Sequence, residues 1–114
     1  MRIDVKGRNV AVADDLRERI HKRFEKIGRQ VSELAELDVE LVEEKNPSIR
    51  DSCVAEATLH LKGVTLRAHS AADNMVSAIN EISDDLGRQV KRHRDKRRRR
   101  RETAKAAEAR AAAP

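Results

Sequence analysis

Aromatic side chains are nearly absent from this sequence, and that absence restricts the ligands the protein can bind. The 114 residues include no tryptophan, no tyrosine and one phenylalanine, Phe24. Modules that bind single-stranded nucleic acid stack the bases on exposed aromatic rings. Because Phe24 lies in a helical pattern of apolar residues, the composition argues against base stacking as a mode of binding.

Cysteine and long apolar runs are also scarce. The single cysteine, Cys53, cannot form an internal disulfide and occurs in an apolar strand pattern. We therefore predict a buried, unreactive thiol and a reducing, cytoplasmic compartment. The residues after Met1 lack the apolar segment of a signal peptide, and no apolar run is long enough to cross a membrane. A single domain with a tail is expected at this length.

Sequence motifs for catalysis and for cofactor or metal binding are missing as well. There is no glycine-rich phosphate loop, nucleophile motif or pair of carboxylates at catalytic spacing. His60 and His69 occupy polar strand positions and could face each other across a hairpin, but no carboxylate or cysteine accompanies them at ligand spacing. We therefore predict no enzyme, no metal site, no cofactor and no small-molecule substrate.

The charges are distributed very unevenly along the chain. The protein has 25 Lys and Arg and 20 Asp and Glu, for a net charge of +5. Residues 1–86 carry a net charge of −4, whereas residues 87–101 hold ten basic residues and one acid, Asp95. Such a basic block is either a solvated tail or a binding site for a polyanion.

Apolar periodicity predicts a small α+β fold. Alternating apolar residues predict four strands, at residues 1–6, 36–41, 53–62 and 64–69, with a tight turn at Lys62-Gly63. Spacings of three and four predict a helix from about Asp14 to Arg29. The element order is β-α-β-β-β-α, and we expect a four-stranded sheet with both helices packed on one face. A helix between the first two strands permits their parallel pairing.

A second helix is predicted to start near Asp73, a suitable N-cap, and to continue beyond the end of its apolar stripe. The stripe ends at Val90, yet nothing breaks the helix until about Arg101. We expect a basic helical extension that projects past the core. From Glu102 onward the Ala-, Glu- and Arg-rich segment cannot bury a core and is interpreted as a tail or linker, helical in places.

The outer faces of both predicted helices are basic. The first helix carries a row formed by Arg19, Lys22, Lys26 and Arg29. The second changes sign along its length, with Glu81, Asp84 and Asp85 followed by Arg88, Lys91 and Arg92. The other face of the sheet tends acidic because it carries Asp38, Glu40 and Glu56.

Two basic rows on one side of a sheet favour phosphate contacts with folded RNA or duplex. The alternative for a single helix is an ordinary solvated surface, since cations near a helix C-terminus also suit the helix dipole. Binding to a membrane is disfavoured because the basic segment has no apolar face to insert.

Three segments resemble a known family: Gly7-Arg8-Asn9-Val10, Asp73–Asn80 (DNMVSAIN) and Leu86–Lys96 (LGRQVKRHRDK). With the element order, they resemble the ribosome hibernation promoting factors, also called the ribosome-associated inhibitor or sigma-54 modulation family. The resemblance covers residues 2–96. Two positions depart from the family pattern: Val76 stands where tyrosine is usual, and Ala13 where a capping Thr or Ser is common.

The resemblance implies a stress-related factor that binds the 30S subunit through 16S rRNA within the 70S ribosome. Such a factor overlaps the paths of mRNA and tRNA and inhibits translation in idle ribosomes. Carried over by position, the RNA-binding residues are Lys22, Lys26, Arg88, Lys91, Arg92, Arg94 and Lys96. The alternative function is a protein-interaction module that regulates transcription through the acidic sheet face.

The resemblance also implies a division of the chain. Residues 1–96 correspond to a ribosome-binding domain, and residues 97–114 to a basic, then Ala/Glu/Arg-rich tail or linker. Long family members carry a dimerising domain after such a linker. The 114 residues are therefore expected to act as a monomer, with ribosome pairing expected only if a C-terminal domain is missing here.

Overall fold

Six elements follow one another in the order that the sequence predicts. The computed structural model describes residues 1–46, 48 and 50–112. The elements are β1 (Arg2–Arg8), α1 (Asp14–Gly28), β2 (Glu36–Glu43), β3 (Cys53–Leu61), β4 (Val64–Ala72) and α2 (Met75–Ala112). Pro47 of the predicted loop and Pro114 at the end of the predicted tail lie outside the described residues.

The strands form one sheet in the order β1-β2-β3-β4. β1 pairs with β2 in parallel, and the other two pairs are antiparallel. The parallel pair is possible because α1 carries the chain back across the sheet. Lys62 and Gly63 form the turn between β3 and β4, and Gly63 has a φ of +79°, which glycine adopts without strain.

Both helices cover the same face of the sheet, as predicted. Alternate side chains of the central strands and the apolar stripes of both helices belong to one buried cluster. Its largest fully buried members are Phe24 and Ile20 from α1, Leu37, Val39, Leu41 and Leu59 from the sheet, and Ile79, Ile82, Leu86 and Val90 from α2. The opposite face of the sheet has no helix over it in the described part of the chain.

The structure corrects some local predictions. α1 ends at Gly28 rather than Arg29, which serves as the C-cap. α2 begins at Met75, and its N-cap is Asn74 rather than Asp73, because the Ser77 N–H donates to Asn74 Oδ1 at 2.8 Å. Cys53 is half-buried rather than buried, since it is the first residue of β3 and lies at an end of the sheet.

α2 continues for 38 residues and leaves the core after Val90. From Lys91 to Ala109 each residue is exposed except His93, which is half-buried. The prediction of a partly helical tail after Glu102 is therefore extended to a helix that reaches Ala112. Ala, Glu, Lys and Arg are strong helix formers, and neither Gly nor Pro occurs between residues 88 and 112. The molecule is accordingly elongated, at 72 × 27 × 18 Å.

Candidate RNA interface

The basic row of α1 lies on the surface because the opposite side of that helix is buried. Ile20, Phe24 and Ile27 point into the core. The residues on the other side are exposed, and they are Arg19, Lys22, Lys26 and Arg29. Arg29 is drawn back along the helix by Glu25, whose Oε1 accepts a hydrogen bond from Nη2 at 2.7 Å. The other three cations have no described carboxylate partner within ion-pair distance.

The outer face of α2 changes from acidic to basic halfway along the buried part of the helix. Asp84 and Asp85 come first, and Arg88, Lys91 and Arg92 are exposed in the next two turns. Arg88 has one weak carboxylate neighbour, Asp85, at 3.9 Å. The helix dipole does not explain these cations, because its effect is confined to the last turn and α2 continues to Ala112.

Arg23 joins the two helices. It is half-buried, its Nε donates to Ser83 Oγ at 3.1 Å, and its Nη2 donates to the Asn80 backbone oxygen at 3.3 Å. Nη2 also lies 2.9 Å from Asp84 Oδ1 and so neutralises an acid of α2. Sequence reasoning missed this residue, since its position beside the apolar stripe is ordinary for a solvated arginine.

The contacts between the helices show that α1 and α2 run in the same direction. Arg23 of α1 meets residues 80–84 of α2, and one turn later Lys26 meets Arg88 and Lys91 across a groove of about 520 Å³. The basic C-terminal half of α1 therefore lies beside the basic middle of α2. The two helices together form what is here called the helical layer, and the first turn of α1 places Asp14 and Asp15 at its opposite end.

The structure brings some of the seven predicted RNA-binding residues together and separates others. Lys26, Arg88 and Lys91 share the groove. Lys22 lies one turn earlier on α1, and Arg92 follows Lys91 on the exposed face of α2. Arg94 and Lys96 belong to the part of α2 beyond the core.

The open face of the sheet carries charges of both signs. The acids concentrate on the central strands as Glu36, Asp38, Glu40 and Glu56, while the edge strands contribute Arg2, Lys6, Arg8 and Arg67 at neighbouring positions. An Arg8–Glu40 contact of 3.8 Å crosses from β1 to β2. This face therefore has no continuous basic surface.

The two histidines on the open face do not face each other across the hairpin, which the sequence left as a possibility. The register places Thr65 opposite His60 and Glu56 opposite His69. His60 Nε2 lies 3.2 Å from Asp38 Oδ2, and His69 Nε2 lies 3.6 Å from Glu56 Oε1. Each histidine has one carboxylate neighbour, and no cluster of three or more metal-ligating side chains occurs among the described residues.

A membrane-spanning helix is likewise not found in the part of the chain that the structure describes. The long helix α2 is polar over its exposed length, so its 38 residues do not include a sufficiently apolar stretch.

The family model described as Sigma 54 modulation protein / S30EA ribosomal protein matches residues 3–98. The chain belongs to this family. The match includes all four strands, α1 and the basic part of α2 up to Arg98. The predicted family, fold class and element order are thus confirmed.

Known relatives and solved structures agree with this assignment. This S30EA family member is 33% identical over 96 residues to the ribosome hibernation promoting factor of Salmonella typhimurium, covering 84% of this chain and 96% of the relative. It is 28% identical over 97 residues to the ribosome hibernation promotion factor of a Picosynechococcus strain. That match covers 84% of this chain and 50% of the relative, so the chain spans half of that relative's length.

The fold of the S30EA family member is also found in a crystal structure. The Thermus thermophilus Protein Y N-terminal domain superposes with a TM-score of 0.69 at 26% identity, covering 82% of this chain and 99% of that one. Val76 lies in the first turn of α2 and is 37% exposed, so its side chain is not part of the buried core.

Proposed function

We propose that this S30EA family member is a cytoplasmic ribosome hibernation factor. It binds the 30S subunit within the 70S ribosome through 16S rRNA, using the basic end of its helical layer. Bound there, it covers the mRNA and tRNA sites and inhibits translation in idle ribosomes. Family membership and the names of the relatives support a role on the ribosome.

One structural observation carries the proposal that RNA is the direct ligand. Lys26, Arg88 and Lys91 come from two helices and converge on one groove, whose walls are held together by Arg23. Because the two helices hold the backbones of these cations at set positions, only the side chains must be ordered when phosphates bind. The surface also lacks exposed aromatic rings, which suits contact with phosphates of folded RNA rather than with unstacked bases.

The binding unit in this proposal comprises residues 1–96, and residues 97–114 form the basic and Ala/Glu/Arg-rich tail. Lys22 extends the contact surface along α1. On α2 the surface continues beyond the groove through Arg92, Arg94 and Lys96, which are exposed.

The test is a triple variant in which Arg88, Lys91 and Arg92 are changed to alanine. All three side chains are exposed, so the free energy of unfolding should change by no more than about 0.5 kcal/mol per site. Each lost charge-assisted contact should weaken binding by about 1 kcal/mol, so affinity for purified 30S subunits should fall about a hundredfold at physiological salt. Sedimentation binding assays measure this loss.

The matched control removes the same charge from the opposite side of the molecule. Arg2, Lys6 and Arg67 are exposed on the open sheet face, and the variant with alanine at all three should bind nearly as well as the unaltered protein. Equal losses in both triple variants would show that only net charge matters. Unchanged binding by the α2 variant, with a normal melting curve, would reject the site.

A further inference from the structure

The part of α2 from Arg94 to Arg101, here called the arginine segment, shares Arg94 and Lys96 with the outer end of the proposed contact surface but has a different arrangement of charge from the rest of it. It contains seven basic residues and one acid, Asp95. All eight residues are exposed. At roughly 100° of rotation per residue, the seven cations leave no sector of the helix wider than about 100° without a positive charge. Asp95 lies in the widest of these gaps, so the segment carries cations on opposite sides of the helix and a single acid between them.

The helical layer, by contrast, is basic on one side only, because its other side packs on the sheet. A surface of that kind can lie on one face of a polyanion. A helix with cations on opposite sides uses about half of them on a flat surface, and the remainder stay unneutralised. A ligand that places negative charge on two opposite sides of the helix would neutralise more of its cations.

The arginine segment is also a helix under electrostatic strain. Its cations are spaced three and four residues apart, and like charges at that spacing destabilise a helix. The described part of the chain shows one compensating ion pair in the segment, between Arg98 and Glu102 at 3.4 Å. Counter-charges from a ligand on both sides would relieve this repulsion, and arginine-rich segments commonly gain order when they bind RNA.

We propose that the arginine segment inserts as a helix between two phosphate strands of folded RNA, in a major groove widened by a bulge or junction. The regular A-form major groove is deep and narrow and does not admit a helix about 10 Å across. The inference rests on the proposed function only in taking RNA as the ligand. It gives the chain a second RNA contact of a different kind from that of the helical layer.

The placement of the segment allows both contacts at once. It starts four residues after Val90, the last fully buried residue of α2, and projects from the basic end of the layer. Its eight residues rise about 12 Å, or about two turns. α2 is one continuous helix from the core through the segment, so the segment leaves the domain in a defined direction, and Arg97 lines a cleft with Leu34 and Lys62 at the end of the sheet.

The first experiment separates a helix in a groove from an unstructured polycation. The full chain carries either Asp95→Pro, which breaks the helix, or Asp95→Ala, which removes the same charge and keeps the helix. The probe is an RNA hairpin with a three-nucleotide bulge in its stem, compared with a fully paired hairpin of equal length. Both substitutions lie beyond Val90, and unchanged melting curves verify that the core is intact.

The unaltered protein and Asp95→Ala should bind the bulged hairpin at least tenfold more tightly than the paired one. Asp95→Pro should bind the bulged hairpin at least tenfold more weakly than Asp95→Ala does. Far-UV circular dichroism of the free proteins should show less helix in Asp95→Pro than in Asp95→Ala, because α2 is helical through this segment. Equal binding by the two variants, or equal binding to the two hairpins, overturns the proposal.

A second experiment tests contact on both sides of the helix. One variant changes Arg94, Arg98 and Arg101 to glutamine, and the other changes Lys96, Arg99 and Arg100, which lie on the opposite side. Insertion between two phosphate strands predicts losses of about tenfold or more in both variants, equal within threefold. A loss confined to one side shows that the segment lies on a surface, and this overturns the proposal.

These results are independent of the test of the proposed function. If the Arg88, Lys91 and Arg92 variant keeps its affinity for 30S subunits while the hairpin results come out as expected, the site on the helical layer is rejected and the arginine segment stands. If 30S binding fails in that variant but Asp95→Pro and Asp95→Ala bind alike, the opposite holds.

Discussion

Individual side chains fix the geometry that the basic surface depends on. The end of β1 illustrates this, because a Cβ added to Gly7 would overlap the Val10 carbonyl oxygen and lie 2.8 Å from Val12 Cγ2. Asn9 follows with a φ of 61°, a left-handed conformation that asparagine tolerates better than most residues. The chain therefore turns back over the end of β1 and leads into α1.

Arg23 is the basic residue of α1 whose replacement should lower the free energy of unfolding. Changing Arg23 to alanine removes its hydrogen bonds to Ser83, Asn80 and Asp84, so we expect a loss of about 2 kcal/mol in the free energy of unfolding. Urea denaturation measures the loss. Arg19→Ala, on the exposed side of the same helix, should stay within about 0.5 kcal/mol of the unaltered protein. A loss in Arg23→Ala no larger than in Arg19→Ala would mean that these hydrogen bonds do not hold the helices together.

At the scale of single elements, the two helices begin differently. Asn74 caps α2 through its side chain, whereas Ala13 occupies the N-cap of α1 with an extended backbone and no side-chain hydrogen bond. Alanine at position 13 thus leaves the first turn of α1 uncapped by a side chain.

Supplying the missing cap should stabilise the protein. Ala13→Ser places a hydroxyl where it can accept a hydrogen bond from the first turn of α1, and we expect a gain of about 1 kcal/mol in the free energy of unfolding. Asn74→Ala should cost about the same amount at the start of α2. Thermal and urea denaturation measure both effects. A destabilised Ala13→Ser would show that the backbone there does not present the amide groups as described.

The sheet provides a second prediction at this scale, which also separates RNA binding from the alternative of protein interaction through the open face. Replacing Asp38 with asparagine and Glu40 with glutamine removes two charges from that face without touching the helical layer. Binding to 30S subunits should change less than threefold, because these carboxylates lie on the side of the sheet opposite the helical layer and salt screens their repulsion of RNA phosphates. A large loss with folding preserved would place the ribosome contact on the sheet.

At the scale of the whole molecule, charge is segregated along the chain and across the fold. Residues 1–86 have a net charge of −4, and residues 87–101 have a net charge of +9. In the fold, the basic residues of α1 and of the middle of α2 form a basic end of the helical layer, and the rest of the basic block projects from it as a helix. The open sheet face has no comparable basic surface. Association with a polyanion should therefore occur in one orientation.

Binding should accordingly depend strongly on salt. Each phosphate contact contributes roughly 0.7–0.9 to the slope of log K against log salt, so the seven predicted residues would give a slope of about −5 to −6. The Arg88, Lys91 and Arg92 variant should have a slope shallower by about 2 to 3. Titrations of 30S subunits at several salt concentrations measure this, and a flat dependence would contradict an electrostatic interface.

The sequence by itself determined the element order, the two apolar stripes, the parallel pairing allowed by α1 and the basic face of each helix. These features depend on local periodicity, in which neighbours two, three or four positions apart share a side of a strand or helix. For the same reason the exposure of Lys22, Lys26, Arg88 and Lys91 was predictable. The helical extension past Val90 followed from the end of the apolar stripe without a helix breaker.

Only the tertiary structure decided which of these residues meet. That Lys26 lies across a groove from Arg88 and Lys91 depends on the two helices running side by side in the same direction over the sheet. The hydrogen bonds of Arg23 to α2 and the pairing of His69 with Glu56 join residues from separate elements. Helix packing and strand register depend on how the side chains of one element pack against those of another, and the spacing of residues along the sequence does not predict this.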